Sequence, residues 1–76
     1  MKKIILITGT RKGIGKKLAE YYLSLNFNVI GCSRGPSTIN ETNYRHYELD
    51  VSNEKNVVKM VREIKKEFNR IDILLN

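Results

Sequence analysis

Apolar residues along the chain follow two rhythms. Ile4, Ile5, Leu6 and Ile7 run unbroken. A short β-branched run of this kind predicts a strand over Lys2–Thr8 with both faces covered, as in a parallel sheet. From Ile14 the spacing changes to four, four and three residues, through Leu18, Tyr22 and Leu25, with Ala19 and Leu23 beside them. That stripe predicts a helix from Gly13 to about Asn26, with Lys16, Lys17, Glu20 and Ser24 on its wet side. Asn26 and Asn28 bracket its exit, since asparagine tolerates the left-handed conformation at a helix end.

Phe27–Cys32 predicts a second strand centred on Val29 and Ile30. Ser33–Asn43 is polar, rich in turn formers and without helical period, so a loop or a single turn is expected. Over Tyr44–Val51, Tyr47, Leu49 and Val51 alternate with His46, Glu48 and Asp50, which predicts a third strand at an edge. Ser52 is the expected N-cap of a second helix over Asn53–Phe68. Its stripe is Val57, Val61, Ile64 and Phe68, flanked by Val58 and Met60. Glu54 in its first turn and Lys65 and Lys66 in its last suit the helix dipole. Asn69 and Arg70 turn the chain into a fourth strand, Ile71–Leu75. The order βαβ–loop–βαβ predicts an α/β fold with a parallel sheet, and right-handed crossovers put the second and third strands on one side of the first.

A chain of 76 residues allows one small domain. The formal charge is +6, with 14 Lys and Arg against 8 Asp and Glu. The basic residues are dispersed and never alternate with aromatics, so they read as a solvated surface, and specific nucleic-acid binding is not expected. The single cysteine, Cys32, excludes an internal disulfide and a metal-ligand set, reads as buried apolar filler, and fits a reducing cytoplasm. The opening M-K-K-I-I-L-I has too short an apolar run for a signal peptide, which needs about seven residues or more. No stretch nears the roughly 20 apolar residues of a membrane span.

Chemistry concentrates where the first strand meets the first helix. Gly9, Gly13 and Gly15 fill that turn. Glycine lets the backbone turn sharply and lets a ligand approach without a Cβ in the way. The first amides of a helix lack intrahelical partners, and the dipole there favours an anion. A pyrophosphate fits such a cradle.

The spacing is not G-x-G-x-x-G. It reads T-G-x-x-x-G-x-G, at Thr8, Gly9, Gly13 and Gly15, and resembles the glycine pattern of the short-chain dehydrogenase/reductase family. Two further stretches resemble the N-terminal part of that family: Asp50-Val51 at the end of the third strand, and Ile71–Asn76, whose last residue corresponds to the first asparagine of an asparagine-asparagine-alanine-glycine motif. The resemblance implies a three-layer, Rossmann-like half with four parallel strands in the order 3-2-1-4 and two main helices. It implies a truncated N-terminal cofactor-binding portion over residues 1–76. It also implies that Gly9, Thr10, Arg11, Lys12, Gly13, Ile14, Gly15, Ser33, Arg34, Asp50, Val51 and Asn76 bind a dinucleotide, with Asp50 accepting from the adenine amino group.

Cofactor choice follows from charge. An acidic residue after the second strand accepts the ribose 2′-hydroxyl of NAD, whereas arginine suits the 2′-phosphate of NADP. The family's acidic position corresponds to Ser33, Arg34 follows it, and Lys12 is the family's other basic site. NADP is therefore expected over NAD. His46 reads as an outward strand residue rather than a catalytic one.

The family's catalytic tyrosine is followed four residues later by lysine. The four tyrosines here, Tyr21, Tyr22, Tyr44 and Tyr47, are followed at that offset by Leu25, Asn26, Glu48 and Val51. The chain as given is thus expected to hold cofactor without transferring hydride, which would belong to a full-length parent acting on a carbonyl or alcohol. A bare apolar edge on the fourth strand is expected to drive self-association. The alternative reading is a non-catalytic half-Rossmann module that binds nucleotides or polyanions.

Overall fold

The computed structural model describes residues 3–75. Its elements are β1 (Ile4–Thr8), α1 (Gly13–Ser24), β2 (Asn28–Ser33), β3 (Tyr44–Glu48), α2 (Glu54–Phe68) and β4 (Ile73–Leu75). All four strands are parallel, in the order β3-β2-β1-β4. β1 runs between β2, with Ile4 opposite Asn28, and β4, with Ile5 opposite Ile73.

Two cores explain the unbroken apolar run. Along a strand successive side chains face opposite sides. Ile4 and Leu6 join Ile30, Cys32, Met60 and Ile64 beneath α2, while Ile5 and Ile7 join Val29 and Ala19 beneath α1. The sheet is the middle layer of three. Cys32 is fully buried, as expected of a small apolar filler.

The ends of elements depart from the periodicity. Ile14 is 79% exposed and Leu25 50%, so the inward stripe of α1 is its middle: Leu18, Ala19, Tyr22 and Leu23. Asn53, not Ser52, caps α2: its side chain accepts from the amide of Asn56. Ser52 is taken instead by Asp50, whose Oδ1 accepts from the Ser52 amide at 2.9 Å and its hydroxyl at 2.8 Å. That turn ends β3 early, so Val51 is 55% exposed and leaves the predicted alternation. Asn26 and Asn69 both adopt left-handed backbone, at φ 66°. The Ser33–Asn43 crossover contains no helix.

Asp72 is more than a solvated strand start. Its Oδ2 accepts from the Ile4 amide and from Arg70 Nε, each at 2.8 Å, and its own amide donates to the Ile4 carbonyl at 2.9 Å. These bonds clamp the start of β1 to the approach of β4. They hold the Asp72 carboxyl below the usual carboxylate range, the Ile4 amide contributing most and Arg70 next.

Candidate dinucleotide-binding site

Parallel pairing puts the C-terminal ends of β1, β2 and β3 along one edge of the sheet. In register, Thr8 pairs with Cys32 and Ser33 with Glu48. The glycine turn, the Ser33–Gly35 bend and Asp50 therefore follow one another along that edge.

The glycine turn is anchored to β2. The amides of Gly9 and Thr10 donate to the Cys32 carbonyl, at 2.8 and 3.3 Å. Gly9 and Gly13 hold φ of +70° and +65°, a region most side chains avoid. Gly15 has a different role: a Cβ there would lie 2.0 Å from the Gly9 carbonyl oxygen, so its bareness lets α1 pack onto its own turn. Lys12 is the N-cap of α1 in extended backbone, makes no side-chain cap bond, and no acid lies in the first turn. The amides of that first turn thus carry no side-chain anion of their own, which fits an external one such as a pyrophosphate.

The other candidate residues divide. Gly9, Arg11, Lys12, Gly13 and Ile14 are exposed, with Gly15 half-buried. Thr10 is 1% exposed and turns its side chain inward. Arg34 projects into solvent at the end of β2 and lies 3.4 Å from the Asp50 carboxylate. The Ser52 amide and hydroxyl, and then Arg34, keep the Asp50 carboxyl below its ordinary range. Arg11 reaches the same corner: a Cβ on Gly35 would be 3.0 Å from its guanidinium carbon. The carbonyl of Arg11 accepts from the Thr38 hydroxyl at 3.2 Å. Two guanidinium groups thus flank the Ser33–Gly35 bend, where the resemblance singled out Arg34 and Lys12. Val51 stands exposed next to Asp50. Asn76 lies outside the described residues. A groove of about 1000 Å³ along α2, from Asp50 to Arg62, meets this edge only at Asp50.

Beneath the edge runs a polar chain that the alternation of β3 did not foretell. Thr10 Oγ1 lies 2.6 Å from the Tyr44 hydroxyl, which lies 2.8 Å from His46 Nδ1. His46 Nε2 lies 2.9 Å from the Gly35 carbonyl oxygen and 3.0 Å from Ser33 Oγ. Ser33 Oγ donates to the Gly35 carbonyl at 2.9 Å. That carbonyl can only accept, so the tautomer that fits these contacts carries its hydrogen on Nε2, with Nδ1 accepting from Tyr44 and Tyr44 accepting from Thr10. Burial pushes the Tyr44 hydroxyl up from its ordinary pKa. His46 is therefore half-buried and hydrogen-bonded beside Tyr44, not outward. One signal in the sequence pointed here: Gly31 interrupts an apolar strand, and interior strand glycines mark close approaches. A Cβ on Gly31 would lie 2.1 Å from the Tyr44 hydroxyl.

Among the described residues no group of three or more His, Cys, Asp or Glu could hold a metal ion, and no helix is long and apolar enough to cross a membrane.

Comparison with known proteins agrees with this geometry. The family model described as short chain dehydrogenase matches residues 3–76. An uncharacterised oxidoreductase of Schizosaccharomyces pombe is 38% identical over 74 residues, which is 95% of this chain and 25% of that protein. The crystal structure of a short chain dehydrogenase from Leptospira borgpetersenii with bound NAD+ superposes with a TM-score of 0.90 at 27% identity, over all of this chain and 31% of that one. ElxO with NADP bound gives 0.90 at 38% identity, over all of this chain and 34% of its own. The chain thus spans between 25% and 34% of the length of these relatives. Sheet order, glycine turn and a family match over nearly every residue lead to one conclusion: the chain belongs to the short chain dehydrogenase family of oxidoreductases.

Proposed function

We propose that this chain holds the adenosine and pyrophosphate part of NADP, as the cofactor-binding portion of an oxidoreductase that moves hydride between a carbonyl and an alcohol. The observation that carries the cofactor choice is the corner after β2: Ser33 offers no carboxylate, and Arg34 and Arg11 flank the bend. A carboxylate there would accept a ribose 2′-hydroxyl and repel a 2′-phosphate, whereas two guanidiniums supply charge-assisted hydrogen bonds to a phosphate. In this reading the first-turn amides of α1 and the turn from Gly9 to Gly15 receive the pyrophosphate. Asp50, freed from Arg34 by the incoming phosphate, accepts from the adenine amino group, and Val51 supports the ring. Both cofactors occur among the relatives: one neighbour holds NAD+ and another NADP. Hydride transfer is proposed of the whole protein, since no tyrosine of this chain has a lysine at the family's offset.

Calorimetric titration with NADPH and NADH tests the reading. NADPH is expected to bind more tightly, and Arg34→Ala to weaken NADPH about tenfold, the scale of one lost charge-assisted hydrogen bond, with little effect on NADH. Equal affinity for the two cofactors would defeat the NADP choice. Binding to DNA as tight as to NADPH, falling steeply with salt, would favour a polyanion-binding module instead.

A further inference from the structure

The Thr10–Tyr44–His46–Ser33 chain joins the two halves of the proposed site, with Thr10 buried and Tyr44, His46 and Ser33 half-buried. One end is the glycine turn, where Thr10 is buried and held by Tyr44 at 2.6 Å. The other end is the Ser33–Gly35 bend, where His46 Nε2 meets both the Ser33 hydroxyl and the Gly35 carbonyl. Tyr44 and His46 sit on β3, a third element, and lie two residues apart on one face. Both guanidiniums of the corner depend on this bend: Arg34 is within it and Arg11 lies against Gly35.

The geometry points to Tyr44 and His46 as positioning residues that set cofactor selectivity from beneath the site. This rests on the cofactor reading above. Each hydrogen bond in the chain fixes the next: Tyr44 can donate to His46 Nδ1 only while Thr10 donates to Tyr44, and that arrangement leaves Nε2–H for Gly35. The Gly35 carbonyl orients the bend and with it the arginines. The pyrophosphate cradle is shared by both dinucleotides, but the bend faces only the ribose corner where they differ. Loosening the chain therefore costs NADPH affinity and leaves NADH affinity almost unchanged. A purely structural role would weaken both alike.

Tyr44→Phe removes one oxygen and keeps the ring. Titrating wild type and this variant with NADPH and NADH is expected to show NADPH affinity down about tenfold, the effect of stranding one buried partner, against less than about twofold for NADH. In the unliganded chain, the same variant is expected to shift the amide resonances of Ser33 to Gly35 as well as Thr10, while those of α2 stay in place. Should Tyr44→Phe lose its dispersed spectrum, His46→Phe breaks the chain one step further on, removing both ring nitrogens while keeping a planar ring, and is read in the same two ways. An equal loss for both dinucleotides, or no loss for either, overturns the inference, as do amide shifts confined to Thr10. A wild-type chain that binds neither dinucleotide defeats the cofactor reading itself and this inference with it, which separates the two failures.

Discussion

An added methyl at Gly31 would come within 2.1 Å of the Tyr44 hydroxyl and 2.2 Å of Thr10 Oγ1. Gly31→Ala is therefore expected to force those side chains apart and cost about 1–3 kcal/mol in urea unfolding, as overpacking does. Gly15→Ala meets a backbone oxygen, Gly9 O at 2.0 Å, which cannot rotate away. The turn itself has to open, so calorimetry is expected to show dinucleotide binding abolished even where circular dichroism still reports a folded chain. The glycine pattern was legible because its spacing is local. His46 was not, because alternation assigns a residue to a face of the strand but does not say what covers that face. His46 bonds Tyr44, whose own partner Thr10 is 34 residues away in the chain and is brought against β3 by the β1–β2–β3 register. Arg11 as a neighbour of the Ser33–Gly35 bend was illegible for the same reason: spacing does not say where a turn side chain points, and only the fold sends Arg11 toward Gly35.

Helices and strands were legible in kind, and less so at their ends. Ile64 is buried as the period of α2 requires, Met60, placed at the flank of that stripe, is buried with it, and Ala19 lies at the centre of the inward face of α1. At the start of α2, however, Asp50, Ser52 and Asn53 are all good cap formers, and the backbone chooses among them. Asn53 adopts extended backbone, φ −89° and ψ 97°, and takes the cap. Replacing it by alanine is expected to cost about 1 kcal/mol in chemical unfolding. Ser52→Ala should leave the helix intact and instead raise the Asp50 carboxyl toward its ordinary pKa, readable by NMR titration of that side chain.

For the molecule as a whole, two carboxyls tie stability to acidity. Asp50 and Asp72 are both held below their ordinary range by bonds made only in the folded chain. A carboxyl lowered on folding contributes stability that is present above its unfolded pKa and lost as pH falls through the folded one. Stability is thus expected to fall on acidification below the ordinary carboxylate range, and Asp72→Asn to be less stable than wild type at neutral pH with a flatter acid limb in pH-dependent unfolding. A second whole-molecule feature is the outer side of β4, unpaired among the described residues, where Leu74 is 59% exposed. Light scattering is expected to show self-association that Leu74→Lys reduces, since a charge on an edge strand opposes pairing with another chain. A wild-type chain that stays monomeric across concentrations would contradict this.

The clamp between Ile4 and Asp72 has a consequence in time as well as in space. β1, inside the sheet, is synthesised before the other three strands, yet its pairing with β4 joins Ile5 to Ile73. Until β4 is made, β1 can collect only α1 and β2, a parallel βαβ unit in which β1 has one open flank. Closure of that flank must wait until residue 73 has cleared the exit tunnel. Contacts of such long sequence separation slow folding. The earliest made of the four strands is then among the last to complete its hydrogen bonds.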